Sequence, residues 1–257
     1  YLKHHSYGEY IFDHGWANAF ERAGGSYYPK LLGAVPFTPA SGPRLLVRDG
    51  RSDLKTALAG GAVRLLDKYQ LSSAHINFLP EQDAHLLTND GWLHRTGIQF
   101  HWHNQGFNNF DSFLTSLSSR KRKNIRKERA SVVEAGVKLL QLTGNAITAN
   151  HIDIFYRFYM STIDRKWGGA YLTREVFTQL QETMADKMLL IMAKYNGHII
   201  GGALNFIGED ALFGRNWGAD INIPNLHFEA CYYQAIEFAI KHGLQRVEAG
   251  AQGIHKV

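Results

Sequence analysis

Cysteine is all but missing from this 257-residue sequence, which holds Cys231 and no other. That excludes an internal disulfide framework and a zinc site built on several thiolates, and it points to a reducing compartment. No run of about 18 or more apolar residues occurs, so the sequence offers no transmembrane helix. There is no GxxxxGK[ST] phosphate loop, although Gly42-Pro43-Arg44 has the makings of an anion cradle, and no GxSxG nucleophile elbow. The chain opens on Tyr1 in place of Met and closes on Gln252-Gly253-Ile254-His255-Lys256-Val257 without a turn or cap. It therefore reads as a piece of a longer chain, in which targeting signals cannot be judged.

What is present describes an ordered globular protein. Hydrophobic residues make up 45%, aromatics 12% and charged residues only 20%, enough core for one large or two small domains. The net charge of +5 favours anionic partners: phosphorylated substrates, coenzyme A, tRNA or a membrane surface.

Periodicity and turn chemistry place the elements. Lys30–Phe37 reads as a strand running into the Pro/Gly-rich loop 38–44. Ser52 or Asp53 caps a helix to about Tyr69, followed by a strand over Ser73–Leu79 and a short helix from Pro80 to Asp90. Ile98, Phe100 and Trp102 alternate with Gln99, His101 and His103, a strand signature. Asp111–Ala135 predicts helix, broken and recapped at Ser118-Ser119. Helices follow over His151–Trp167 and from the Thr173 cap to Ala185. Strands over Met188–Tyr195 and His198–Ile207 join through Asn196-Gly197, and a third covers Ala211–Gly218. Asn225 caps a helix to Lys241, whose apolar stripe includes Phe228, Cys231, Tyr232, Ala235, Ile236 and Ala239; a strand starts at Arg246. Both halves thus hold a long helix followed at once by a short strand, as a duplicated α/β lobe would.

Several features can carry chemistry. Seven of the ten residues Arg120 to Arg129 are Lys or Arg, with Arg122, Lys123 and Arg126 central among them. Such density invites tRNA, nucleotide phosphate or an anionic precursor; a solvated face and membrane adsorption are the other readings. No aromatic residue interleaves, so base stacking is not expected there. The helix start at Asn225–Glu229 has backbone N–H groups for an anion or oxyanion, with His227 and Glu229 beside it as general bases, or merely as capping and packing residues. Glu248 ends a strand beside the approachable backbone of Gly250 and Gly253, either as a base or in a structural ion pair with Arg246. Arg215, Trp217 and Tyr232 are candidates to line the same cleft, and Arg215 and Arg44 to hold an anion, unless they only pack and pair. The cluster His4, His5, Tyr7, Glu9, Tyr10, Asp13, His14 and Trp16 reads as a polar cleft wall or ordinary structure, and neither it nor His101 with His103 has a standard zinc spacing. Cys231 lies on the buried stripe as a structural thiol.

The segment Met188–Ala249, with Asn196-Gly197-His198-Ile199-Ile200-Gly201-Gly202-Ala203 as its hairpin, resembles the core half of a GNAT acyltransferase. A longer resemblance spans nearly the whole chain. It rests on His5-Ser6-Tyr7-Gly8-Glu9-Tyr10, Phe12-Asp13-His14-Gly15-Trp16, Tyr27-Tyr28-Pro29-Lys30-Leu31, Gly42-Pro43-Arg44-Leu45-Leu46, Arg120-Lys121-Arg122-Lys123, Leu226-His227-Phe228-Glu229 and Glu248-Ala249-Gly250. These resemble the FemAB-like family of peptidoglycan biosynthesis or recognition proteins, which is similar to the Fem aminoacyltransferases. Asn216 stands where the family has tyrosine, and Ile254 where glutamate is usual.

The resemblance implies an α/β fold of two GNAT-like lobes with mixed sheets flanked by helices: residues 1–111, then 112–257 with the basic helix 118–135. The site would lie in a cleft between or within the lobes. It implies an N-acyl- or aminoacyltransferase acting on an amine, with peptidoglycan-precursor metabolism as one setting, in the cytoplasm or at the inner membrane surface. The donor would be acyl-CoA or aminoacyl-tRNA. Asp220 to Asn225 lacks the glycines of a coenzyme A pyrophosphate loop, which favours tRNA. The alternative is a non-catalytic protein that recognises peptidoglycan or its precursors, for which Glu229 and Glu248 locked in salt bridges would speak.

Overall fold

The computed structural model describes residues 1–11, 13–166 and 170–249. The chain divides into two compact units, Tyr1–Ile98 and Gln99–Val257. The division falls before the expected boundary at residue 111, because the strand expected over Ile98–His103 survives only as β4 (His101–His103), and β4 pairs in the second unit's sheet.

In the first unit β1 (Leu2–Lys3) runs antiparallel to β2 (Lys30–Gly33), and β2 runs parallel to β3 (Ala74–Ile76). The helix α2 (Leu54–Tyr69) makes the crossover and ends at Gln70, whose left-handed φ of 51° stops it. Asp53 precedes α2 without a capping hydrogen bond from its side chain. The expected strand Lys30–Phe37 is cut short at Gly33. Two further helices are α1 (His14–Arg22) and α3 (Glu81–Asn89). Helix α1 was not expected; of its apolar residues Ala17 is buried, while Trp16 and Phe20 are exposed. A small core joins Leu45, Ala59 and Leu87.

The second unit holds a six-stranded mixed sheet in the order β4-β9-β8-β7-β6-β5. Its strands are β4, β5 (Lys138–Thr143), β6 (Met188–Tyr195), β7 (His198–Ile207), β8 (Ala211–Ala219) and β9 (Arg246–Glu248). Asn196 and Gly197 both take positive φ, 49° and 83°, as the two-residue hairpin between β6 and β7 requires. Residues Met188–Ala193 of β6 are buried because helices cover both faces of the sheet. On one face pack α4 (Phe110–Ser116) and α9 (Gln234–Lys241); on the other pack α6 (Ala149–Lys166) and α7 (Arg174–Met184). The edge strand β5 is not legible in the sequence, because Lys-Leu-Leu-Gln-Leu-Thr does not alternate.

The basic stretch is α5 (Ser119–Glu134), separated from α4 at the expected place: the Ser118 side chain accepts a hydrogen bond from the Lys121 backbone. The last long helix differs from expectation. It is α8 (Leu226–Phe228), a π-helical turn over Glu229–Tyr233, then α9. Asn225 does not cap it; its φ is 63°, and its amide donates to Ser131 Oγ at 2.9 Å. A π turn inserts one extra residue and re-aims the side chains around it. This helix joins β8 to the parallel β9, so each unit contains a parallel strand pair linked by a long helix.

Candidate active site

Glu229 stands on the π turn, 4% exposed. Both its oxygens accept from Arg129 of α5: Nε at 3.1 Å to Oε2 and Nη2 at 3.0 Å to Oε1. Gln234 Nε2 adds a bond at 2.8 Å, and Arg129 also donates to Glu237 at 2.7 Å. The guanidinium lies over the Phe110 ring, 4.4 Å from its centroid. Burial works to lower the Arg129 pKa, but Glu229 and then Glu237 outweigh it and raise it. Beside this group the Tyr233 hydroxyl donates to Glu128; burial first, then that bond, pushes the Tyr233 pKa up. Sequence reasoning missed Arg129 as the partner, since it looked like one cation in a run of seven.

Glu248 ends β9 and is 5% exposed. Its Oε1 accepts from Arg246 Nε at 3.0 Å, and Arg246 also pairs with Asp210. Its Oε2 lies 3.9 Å from His101 Nε2, the residue directly opposite on β4. Val247 packs in the core with Phe238 and Ala239 of α9, so the pleat turns Arg246 and Glu248 to the other face.

His227 lies elsewhere. It is half-buried, with ring centroids 5.7 Å from Trp217 and 5.6 Å from Tyr232. Burial first pushes the Tyr232 pKa up. The three candidate bases therefore face different ways: Glu229 against Arg129 of α5, His227 against Trp217 of β8, and Glu248 on the face of the sheet opposite α9. Arg215 is the extra residue of a bulge in β8, between the pairs Leu204–Asn216 and Asn205–Gly214. Bulges re-aim side chains and gather near sites. The buried Oδ1 of Asn216 has no hydrogen-bond partner among the described residues. Gly250 and Gly253, expected near Glu248, lie outside the described residues, as does Ile254.

On α5 the cations divide. Arg129 is inward; Arg126 pairs with the exposed Asp111 at 3.3 Å; Arg122 donates to Thr115 O and Ser119 Oγ, both at 3.3 Å. Arg120, Lys121, Lys123 and Lys127 are exposed, and their side chains make no ion pair or hydrogen bond among the described residues. Arg120, Lys123 and Lys127 fall at i, i+3 and i+7, one stripe about 10 Å long.

The first unit resolves its polar cluster around a residue that sequence reasoning read only as a strand start. Lys30 is 0% exposed and donates to Ser6 Oγ, Glu9 Oε2 and Asp13 Oδ2 at 2.7, 2.9 and 2.8 Å. Lys30 and Leu32 share the inward face of β2, which is why a lysine is buried there. Tyr27 donates to Asp13 at 2.8 Å. Burial works to raise the Asp13 pKa, but bonds from Lys30, Ser6 and Tyr27 bring it down to about 2. Glu9 goes the other way, raised by burial against the pull of Lys30. Arg44 turns back on its own loop, donating to Gly42 O at 2.8 Å and Ala40 O at 2.7 Å, and burial lowers its pKa. No group of three or more potential metal ligands occurs among the described residues.

The sequence profile of the FemAB-like family, described as peptidoglycan biosynthesis/recognition, matches residues 1–257. The chain belongs to the FemAB-like family. No curated protein matches it. Its fold is similar to that of FemX, with a TM-score of 0.55 at 14% identity over 85% of this chain and 74% of FemX. L-PGS from Bacillus licheniformis matches with a TM-score of 0.53 at 11% identity, over 77% of this chain and 58% of its own length. The C-terminal domain of a protein assigned as a lysylphosphatidylglycerol synthetase in Agrobacterium fabrum matches with a TM-score of 0.56 at 9% identity, over 77% and 60%. The FemAB-like chain thus spans less than two thirds of these last two. With its two mixed sheets flanked by helices, it has the GNAT-like α/β fold of FemX and L-PGS. No helix among its described residues is long and apolar enough to cross a membrane.

Proposed function

We propose that this FemAB-like protein transfers an activated acyl group, specifically an aminoacyl group carried on tRNA, to an amine acceptor of cell-envelope metabolism such as a peptidoglycan precursor. The observation that carries the donor assignment is the exposed stripe Arg120, Lys123 and Lys127 with Lys121 beside it, cations that no carboxylate neutralises among the described residues. Such a stripe binds phosphates by releasing counterions, whatever the base sequence. Transfer from an ester to an amine needs the two reactants held together, the oxyanion stabilised and one proton removed, with no covalent nucleophile. That agrees with a chain whose one cysteine is half-buried in the helix-covered core. Membership of the family and the GNAT-like fold support the same class.

A second reading is recognition of peptidoglycan or its precursors without turnover. The ion pairs that engage Glu229 and Glu248 favour it, since each carboxylate is held by an arginine. Purified protein incubated with charged tRNAs or acyl-CoAs and amine acceptors, followed by mass spectrometry, separates the readings. Product from charged tRNA is expected; product from acyl-CoA alone refutes the donor assignment; precursor binding with no product from any donor refutes the transferase.

A further inference from the structure

We infer that His101 is the group that takes the proton from the attacking amine, with Glu248 as the residue that positions it. This role rests on the transferase reading above and names the proton acceptor that it lacks.

His101 and Glu248 are directly opposed across the β4–β9 pair, so their side chains share one face of the sheet. Glu248 is the last residue of β9, which runs parallel to β8, and open α/β sheets gather ligands beyond the carboxyl ends of parallel strands. His101 Nε2 meets Gln99 Oε1 at 2.9 Å and Glu248 Oε2 at 3.9 Å. With Gln99 Oε1 as the acceptor, the tautomer that fits has its hydrogen on Nε2 and its lone pair on Nδ1. Arg246 holds the far oxygen of Glu248, which turns the near one toward the imidazole. The His101 side chain is 25% exposed, against 7% for Glu248. The histidine is therefore the member of the pair within reach of a substrate.

The protonation state suits the task. Burial lowers the His101 pKa, Glu248 opposes it, and His103 and Arg246 add to the lowering. The ring is then neutral at neutral pH and able to accept. When it becomes an imidazolium, the carboxylate beside it stabilises the new charge, the division of labour in which an acid orients a histidine base. In the step itself the free amine attacks the ester carbonyl of the donor. A C–N bond forms, the ester C–O bond breaks, and the surplus proton on nitrogen passes to Nδ1 of His101 and on to the departing oxygen.

The test measures kcat/KM against pH for the full chain and for His101→Gln and Glu248→Gln, with melting curves to show that each variant folds. His101→Gln is expected to lose ~10²–10⁴-fold, lose the acid limb of the profile and regain turnover when imidazole is added. Glu248→Gln is expected to lower kcat more than it changes KM and to move the acid limb to lower pH, as it removes the charge that stabilises the imidazolium. Should Glu248→Gln unfold, His101→Gln and its rescue by imidazole decide alone. Turnover by folded His101→Gln equal to the parent, with the acid limb unmoved, overturns the role of His101 and leaves the transferase standing. No turnover by the parent with any donor overturns both.

Discussion

Lys30 Nζ and Asp13 Oδ2 lie 2.8 Å apart, and both side chains are wholly shut off from solvent. Asp13 comes from the start of α1 and Lys30 from β2, so the contact fastens the first segment of the chain to the sheet of its unit. Glu9 and Ser6 complete the hold. Replacing Lys30 by Met leaves Glu9 and Asp13 buried without their cation. Removing one partner of a buried pair costs about 3–5 kcal/mol. Denaturant unfolding of Lys30→Met should show that loss; a change below about 1 kcal/mol would mean that the carboxylates find another partner.

The same contact predicts a response to acid. The folded pKa of Asp13 is depressed from 3.8 to about 2. A depressed carboxylate adds stability that is fully present above its unfolded value and is lost as pH falls through the folded value. The melting temperature should therefore drop between pH 4 and pH 2, and the drop should be smaller in Asp13→Asn. Glu9, raised by its burial, has the opposite sign and titrates at higher pH, which separates the two contributions.

Arg129 and Glu229 form a second, partly buried pair, held by two parallel bonds. Glu229→Gln should lower stability, and so should Arg129→Met. In the double variant the losses should fall short of their sum by about 0.5–3 kcal/mol, measured as a double-mutant cycle in denaturant. Additive losses would mean that the two do not stabilise each other.

The stripe on α5 predicts a salt dependence. Binding of tRNA by the parent should weaken linearly in log–log form as salt rises. Arg120, Lys123 and Lys127 changed together to Ala should make that slope shallower by about 2–3, near 0.7–0.9 for each phosphate that is no longer neutralised. Filter-binding titrations at several salt concentrations give the slopes. An unchanged slope would remove α5 from the interface.

Glycines give opposite expectations in the two units. A Cβ on Gly218 would stand 2.2 Å from the Phe158 carbonyl oxygen in α6, so Gly218→Ala must push a helix off the sheet and should cost about 1–3 kcal/mol. Gly60 lies inside α2 with nothing near its Cβ position, so Gly60→Ala should stabilise by about 0.4–1 kcal/mol. Thermal melts of the two variants test both signs.

Much of the fold was legible along the chain. The Asn196-Gly197 turn, the break at Ser118 and the helix–strand order before β3 and β9 are local matters of turn chemistry, capping and periodicity, and they lie where the residues placed them. The site was less legible. Arg129 has the same composition around it as Lys127, and only packing against Glu229 sets it apart. His101 and Glu248 are far apart in sequence, and nothing local makes them a pair.

By itself the sequence determined the family, the alternation of strands and helices and the density of positive charge on α5, because each is written in short-range pattern. Tertiary structure alone decided which cations remain open to solvent, that Glu229 and Glu248 are bound in ion pairs, and that a histidine on an edge strand faces Glu248. The reason is that a side chain's charge partner is set by which strands and helices meet, and register and crossing are settled only when the core packs.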